Sequence, residues 1–403
     1  MALNYAQLLQ FDLLDEADNS LVQPDNKDKF FEFINLTQSI WNVNQFIIDC
    51  PSFPGSTKEI VRDELVSAIG STLAIEGILL QDDEIKNALQ EQPLPLEAAI
   101  RIKEQYASNS RDVYHYIQGE VLNANQGFTY TQDQILTIHR LFTKNIESIG
   151  NRPGAYRSTQ ALFGYPRKTS LCENSEQVYQ AMKFYVEWLN IEKKGLLSSN
   201  PIAKAIMAHY YLAEIHPFGD GNGRTARAVE AMALFHKGTN HYCFWSLANF
   251  WKADRSQYIA QLANIRDTCN PLEFILWGAG GYLAEVTRIK VKVLSKLRYL
   301  MLRDYVSWLL RTKKQQPSEK KINQRIHDVM VMLTTTDKIP LSEFRALPQY
   351  EALYTNKSSQ SSRSKDLAKM KSMNLVRVSK VEEKEYIEPN YEVLEQLEYA
   401  IPR

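Results

Sequence analysis

The stretch from His216 to Arg227, His-Pro-Phe-Gly-Asp-Gly-Asn-Gly-Arg-Thr-Ala-Arg, sets side by side the groups that phosphate chemistry needs. His216 is a base with an ordinary pKa of about 6.5, able to accept a proton from an incoming hydroxyl near neutral pH. Asp220 cannot bind phosphate directly, and its natural task is to hold a magnesium ion that bridges phosphate oxygens. Gly219, Gly221 and Gly223 let backbone N–H groups come close to an anion. Arg224 and Arg227 lie three apart, so they share one face of a helix and both reach toward a polyphosphate. Positioning, charge neutralisation and a base are what in-line attack on phosphorus requires.

The neighbouring elements must hold these groups. Pro201–Ile215 is apolar with helical spacing, and Pro217 drives His216 out of the helical region, so the helix ends there and His216 projects from a loop. Asn222 is a favoured N-cap residue, which predicts that the next helix starts with it and aims its first N–H groups, with those of Gly221 and Gly223, at a common point. The glycines follow neither the Gly-x-Gly-x-x-Gly nor the Gly-x-x-x-x-Gly-Lys-Thr pattern, which excludes a dinucleotide fold and a P-loop. A plain flexible turn would account for the glycines but not for the histidine, carboxylate and arginines around them.

Apolar residues at three- and four-residue spacing also predict helices over 29–48, 58–75, 96–121, 131–145, 175–189, 222–236, 256–266 and 272–296. Strand signals are sparse before residue 370. The segment 151–171 is rich in Gly, Pro, Ser and Thr, and 312–318 is a polar stretch with a proline that reads as a domain boundary. Beyond it, helices over 322–333, 341–347 and 359–373 followed by an alternating stretch at 375–387 predict a winged helix-turn-helix. Lys357, Arg363, Lys365, Lys369 and Lys371 would give its third helix a phosphate-facing side, or equally a solvated charged face in a protein-interaction module.

The chain has 403 residues, 44% of them hydrophobic and 23% charged, the composition of a globular protein of two or three domains. Basic and acidic residues balance at 47 each, yet from Arg288 onward there are 23 basic against 14 acidic residues. An anionic partner for that tail would follow from the imbalance. Cys50, Cys172, Cys243 and Cys269 are far apart, which suggests neither a disulfide framework nor a zinc site. No signal peptide and no membrane span is apparent, so the expected location is cytoplasmic with no membrane partner. His209 lacks a His-Glu-x-x-His context and reads as a core residue, and His115, His139, His236, His241 and His327 show no ligand spacing.

One further segment stands out. Thr72-Leu-Ala-Ile-Glu76-Gly77 places a lone carboxylate in an apolar run, with Gly77 positioned to end a helix. A carboxylate there opposes the helix dipole and needs a cation unless it reaches water.

The motif from His216 to Arg227 resembles the signature of the Fic family, His-Pro-Phe-x-(Asp/Glu)-Gly-Asn-Gly-Arg-x-x-Arg, with every fixed position filled. The resemblance implies an all-α fold: a Fic-type helical core with a small β-hairpin flap, followed here by the winged helix-turn-helix (α+β) domain. It implies a protein adenylyltransferase that moves AMP from ATP, with Mg2+, to a Ser, Thr or Tyr hydroxyl of a target protein. His216 would deprotonate that hydroxyl, Asp220 hold the metal, and Asn222 with the Gly221 and Gly223 amides bind phosphate. Arg224 and Arg227 would hold the outer phosphates, and Phe218 would anchor the loop. A lysine at Gly223 marks a branch of the family that transfers phosphate, so the glycine favours adenylyl transfer.

The spacing (Ser/Thr)-x-x-x-Glu-Gly at 72–77 resembles the inhibitory helix of Fic proteins of the second class, which implies that Glu76 pairs with Arg227 and keeps the enzyme silent. Gly154-Ala-Tyr-Arg157 resembles the turn before the flap, which would be Ala161–Leu171, although the proline-rich stretch that often follows is replaced by Leu171-Cys-Glu-Asn-Ser175. Asp254-Arg-Ser-Gln-Tyr258 resembles the helix bordering the adenine pocket and makes Tyr258 a nucleotide contact. The resulting division is 1–110 with an inhibitory helix at about 58–77, a core at 111–290, a connector at 291–320 and the winged domain at 321–403. Two alternatives stay open: removal of AMP by the same site, or a DNA-binding regulator whose core senses nucleotide. Homodimerisation is a further expectation from the family.

Overall fold

Among the described residues of the first 290, the segments with helical spacing fold as helices. In the computed structural model the described residues are 2–51, 54–89, 98–124, 127–148, 150–164, 168–240, 247–311, 317–336, 338–355 and 359–395. The chain divides into two units, Met1–Lys290 and Val291–Arg403. The first begins with α1 (Tyr5–Leu8), α2 (Leu13–Leu21), α3 (Lys27–Asp49), α4 (Pro54–Ile75), α5 (Asp82–Ala88), α6 (Ala98–Asn123) and α7 (Gln132–Thr143). A two-stranded hairpin of β1 (Leu162–Phe163) and β2 (Lys168–Thr169) follows, then α8 (Ser175–Asn190), α9 (Pro201–Ile215), α10 (Asn222–His236), α11 (Ala248–Ala253), α12 (Arg255–Thr268) and α13 (Leu272–Arg311). The expected helix start at Leu96 and the tip of the expected flap at 165–167 lie outside the described residues, as does Cys243. Among the described residues, Cys50, Cys172 and Cys269 form no disulfide.

The pair α9 and α10 forms the centre. Asn200 caps α9, its Oδ1 accepting from the N–H groups of Ile202 and Ala203 at 2.9 and 3.1 Å, with Pro201 at the first position where no N–H is needed. Ala203, Ala205 and Ala208 on α9 and Ala226, Ala228 and Ala231 on α10 are buried, and side chains this small let two buried helices approach closely. Both helices are buried on nearly every face because other helices surround them.

Helix α4 is fastened along its length to α11, α12 and α13. Arg288 donates to both oxygens of the buried Glu64 at 2.8 and 2.6 Å. Ser67 and Ser71 hydroxyls donate to Asn249 Oδ1 at 3.0 and 2.6 Å. Arg255 Nε donates to the Ile75 carbonyl at 2.6 Å, placing a cation at the negative end of α4. The helix stops in a Schellman turn: Gly77 is left-handed at φ 83, and the N–H of Ile78 reaches the Leu73 carbonyl at 3.0 Å.

The second unit contains the end of α13, α14 (Pro317–Leu333), β3 (Ile339–Pro340), α15 (Leu341–Arg345), α16 (Pro348–Ala352), α17 (Ser359–Ser372), β4 (Val376–Val381), β5 (Lys384–Pro389) and α18 (Glu392–Glu395). Its antiparallel sheet has the order β3-β5-β4. Leu302, Val306 and Leu310 of α13 pack with Ile326, Met330, Phe344, Met370 and Ile387, so α13 runs on to Arg311, past Lys296 where its spacing predicted an end. The polar stretch at 312–316 lies outside the described residues, and so does Lys357. Arg363 folds over the rings of Tyr350 and Tyr354, and Lys369 donates to Asn323 at 2.8 Å. Of the five basic residues expected to face phosphate, Lys365 and Lys371 are the described ones left exposed. Among the described residues no helix is long and apolar enough to cross a membrane.

Candidate active site

His216 closes α9 in a left-handed conformation, φ 49 and ψ 59, its N–H donating to the Leu212 carbonyl at 3.1 Å. Such backbone in a non-glycine residue costs on the order of 1 kcal/mol and persists where surrounding contacts enforce it. Arg157 supplies those contacts. Its Nε donates to the His216 carbonyl at 2.6 Å, and its Nη2 to the Ile215 and Cys172 carbonyls at 3.3 and 2.9 Å. Its Nη1 reaches the Thr159 carbonyl at 2.5 Å and its own N–H the Pro217 carbonyl at 2.9 Å. One buried guanidinium therefore joins the end of α9 to both shoulders of the β1–β2 hairpin.

The imidazole Nδ1 lies 3.2 Å from the Ala213 carbonyl. A carbonyl oxygen only accepts, so this contact places the proton on Nδ1 and leaves the Nε2 lone pair for a substrate. Phe163 from β1 lies flat against the ring, centroids 4.1 Å apart and planes within 4°. Burial holds the His216 pKa down to about 4; the Ala213 carbonyl pulls it partly back and the Arg157 cation pushes it further down. The residue is a neutral base at physiological pH.

The loop after His216 is fixed from beneath. Phe218 is fully buried and stacks on His139 at 3.7 Å, planes 5° apart. His139 Nδ1 accepts from the Gly154 N–H at 3.0 Å, so Nε2 carries the proton and donates to the Asp220 carbonyl at 3.0 Å. Helix α10 starts at Asn222, but the cap is Gly221, left-handed at φ 77. Asn222 does not cap, a correction to the sequence expectation. Its amide accepts from the Phe218 N–H and donates to the Phe218 carbonyl, both at 2.9 Å, which spends the side chain on the loop and leaves phosphate contact to the backbone. Asp220 Oδ1 accepts from the Gly221 N–H at 2.6 Å, and its Oδ2 lies 3.3 Å from Arg224 Nη2.

Arg224 is buried, its guanidinium 5.1 Å from the centre of the Tyr106 ring, with Nε and Nη1 lacking any hydrogen-bond partner. Buried donors left without partners cost about 1–3 kcal/mol each, and a guanidinium of this kind beside a helix N-terminus suits an anion. Arg227 is occupied instead. Its Nε donates to Thr72 Oγ1 at 2.9 Å, and its Nη2 to the Thr72 carbonyl at 3.0 Å and to Glu76 Oε1 at 2.6 Å. Burial alone would raise the Glu76 pKa, but the charge and hydrogen bond of Arg227 outweigh it and hold the carboxyl below its usual range. Glu76 therefore remains ionised and finds its cation 151 residues away.

Tyr258 is brought near Arg227, though not as an open nucleotide contact. It is 4% exposed, and its hydroxyl pairs with His209 Nε2 at 2.8 Å and with the Arg227 guanidinium. His209 in turn pairs through Nδ1 with Glu230 at 2.6 Å, and Trp251 donates to the same carboxylate at 3.2 Å. This buried network supports Arg227 from behind. Among the described residues no group of three or more His, Cys, Asp or Glu side chains is gathered for a metal. A single carboxylate still suits magnesium, which commonly binds through one or two carboxylates, water and substrate phosphates. Arg157 and His139 were not singled out for this site by the sequence; only the Gly-Ala-Tyr-Arg stretch pointed toward Arg157, and no spacing marked His139.

Residues 129–234 match the model of the Fic/DOC family, so the chain carries a Fic domain. Protein adenylyltransferase fic-1 of Caenorhabditis elegans is 39% identical over 106 residues, which are 26% of this chain and 19% of that protein. Protein adenylyltransferase Fic of Nematostella vectensis is 26% identical over 193 residues, 48% of this chain and 42% of its own length. The chain thus spans less than half of the length of either relative. A crystal structure of a Fic family protein from Desulfovibrio desulfuricans G20 shares the fold with a TM-score of 0.53 at 14% identity, over 91% of this chain and 96% of its own. Fic-1 from Caenorhabditis elegans aligns over 70% of this chain and 82% of the solved chain, with a TM-score of 0.53 and 20% identity.

Proposed function

We propose that the chain is a protein adenylyltransferase, transferring AMP from ATP to a Ser, Thr or Tyr hydroxyl of a target protein. The observation that carries this reading is the buried Arg224 guanidinium with two unpaired N–H groups, at the start of α10 beside a neutral His216. The target hydroxyl oxygen attacks the α-phosphorus in line. Its proton passes to His216 Nε2, the new O–P bond forms, and the bond to the β-phosphate oxygen breaks to release pyrophosphate. The first N–H groups of α10, which have no partner within the helix, and Arg224 hold the phosphates.

Asp220 is the residue that would hold Mg2+, which when bound neutralises charge on the phosphate oxygens. Asn222 and Phe218 keep the loop in shape, and Tyr258 steadies Arg227. Arg227 would hold the outer phosphate, and the carboxylate of Glu76 occupies it. Its negative charge also repels a γ-phosphate from that place, so the protein rests in a silent state.

Labelled ATP incubated with cell lysate tests the reading. AMP incorporation into target proteins should rise at least about tenfold in Glu76→Gly over wild type, and it should vanish in Glu76→Gly/His216→Ala while ATP binding persists. Incorporation that survives loss of His216 removes it from the base role. If the site instead strips AMP from modified proteins with the help of Glu76, Glu76→Gly loses turnover rather than gaining it.

A further inference from the structure

A closed circuit of contacts runs through the base, the hairpin and α12. Arg266, on the last turn of α12, donates from Nη2 to the Thr169 carbonyl on β2 at 2.6 Å. Its guanidinium lies 5.9 Å from the centre of the Phe163 ring on β1, and Phe163 is the ring stacked on His216. Its Nη1 stands 3.2 Å from Glu214 Oε1, two residues before His216 on α9. That pair is ionic without the alignment of a hydrogen bond, and both partners are nearly buried at 12% and 5% side-chain exposure. Lys168 adds an exposed tie to Asp267 at 2.6 Å. The path from α12 to the hairpin, to the imidazole, along α9 and back to α12 passes twice through Arg266.

We infer that Arg266 is a positioning residue that holds Phe163 over His216, so that the base and the edge of the hairpin form one rigid piece before a target arrives. The inference rests on the transferase reading for its use, but the contacts stand without it. The imidazole lone pair lies in the ring plane, so Phe163 covers a face without blocking the approach of a hydroxyl to Nε2. What the cover does is exclude water from the base, and a guanidinium matched to a carbonyl, a carboxylate and a ring face is suited to hold it. Lysine cannot satisfy all three at once.

The test follows the titration of His216 by NMR in the full chain without nucleotide or target, with His216→Ala assigning the resonance. Arg266→Gln should raise the His216 pKa by about one pH unit or more as water reaches the ring, with Arg157, Glu76 and Asp220, the charges that face it, left in place. Phe163→Ala should give a shift of the same size, and the double variant no further shift. Arg266→Lys should recover part of the wild-type value. A general loosening of the fold would not produce this non-additivity.

An unmoved His216 in folded Arg266→Gln overturns the inference, as do additive shifts. If Arg266→Gln does not fold, Phe163→Ala on the hairpin carries the test, and a wild-type titration there overturns it equally. Because no turnover is read, these outcomes are independent of whether AMP is transferred. Given transfer, Arg266→Gln in the Glu76→Gly background should raise KM for the target severalfold and leave ATP affinity within about twofold.

Discussion

A β-carbon on Gly223 would fall on Glu76 Oε1, well inside contact distance, and 3.0 Å from Arg227 Nη1. The Glu76 carboxylate, just past the end of α4, thus enters α10 through a gap that only glycine provides. Under the proposed function, the residue that opens the helix start to phosphate would also admit the group that excludes it.

That relationship predicts a reversal of sign. In the wild-type background Gly223→Ala should destabilise by about 1–3 kcal/mol, because Glu76 and Arg227 must separate in a packed site. With Glu76→Gly already present, the same substitution should be neutral or stabilise by up to about 1 kcal/mol, the ordinary preference of a helix for alanine. Urea unfolding of the four proteins measures both, and equal costs in the two backgrounds would contradict the gap.

The pH dependence of transfer should report the base. In the proposed mechanism the neutral imidazole would be the active form, and its pKa is lowered from 6.5 to about 4. Activity should hold from neutral pH downward and be lost as pH falls through about 4 in kcat/KM, which reads the free enzyme. Measured with Glu76→Gly, an acid limb centred near 6.5 would show that the ring is solvated in solution.

Stability should carry a second pH signature. His139 has a pKa of about 4 when folded against 6.5 unfolded, chiefly from burial, with the Asp220 carbonyl opposing in part. Between those values the unfolded chain binds more protons, so stability is full above about 6.5 and declines as pH falls toward 4, by roughly 3 kcal/mol for this residue. His139→Gln should flatten the slope between pH 7 and pH 4.5 in urea titrations. A slope unchanged from wild type would remove His139 as its source.

Asp220→Asn keeps an oxygen for the Gly221 N–H and loses the charge. The fold should therefore persist while transfer falls on the order of a hundredfold and responds less steeply to added Mg2+. Removing Mg2+ with a chelator should abolish turnover of the Glu76→Gly protein, and turnover that continues would free Asp220 from the metal role.

How much of this was legible in the sequence depends on whether a group's partner is near or far along the chain. Pro217, a local signal, ends α9 as read, and both helices have the predicted limits. The Glu76–Arg227 pair came from a motif resemblance, since no periodicity links residues so far apart. Asn222 was misread because its N-cap preference is intrinsic, whereas the left-handed Gly221 took the cap and freed the amide for Phe218. His139 and Arg157 serve residues 81 and 59 positions away, and single histidines and arginines carry no spacing that could announce it. The end of α13 at Lys296 was set too early, because the packing of Leu302, Val306 and Leu310 is supplied by the second unit rather than by the helix's own pattern.

The fastening of α4 has a consequence for speed. With Glu64, Ser67, Ser71 and the Ile75 carbonyl all tied down, the helix does not have to leave for Glu76 to let go of Arg227; turning one partly exposed side chain about its own bonds suffices. Rotamer exchange of such a group takes nanoseconds, whereas detaching a helix takes microseconds or longer. Relief would then be limited by the chemical strength of a single ion pair, and a competing anion that matches it would act as fast as it diffuses in.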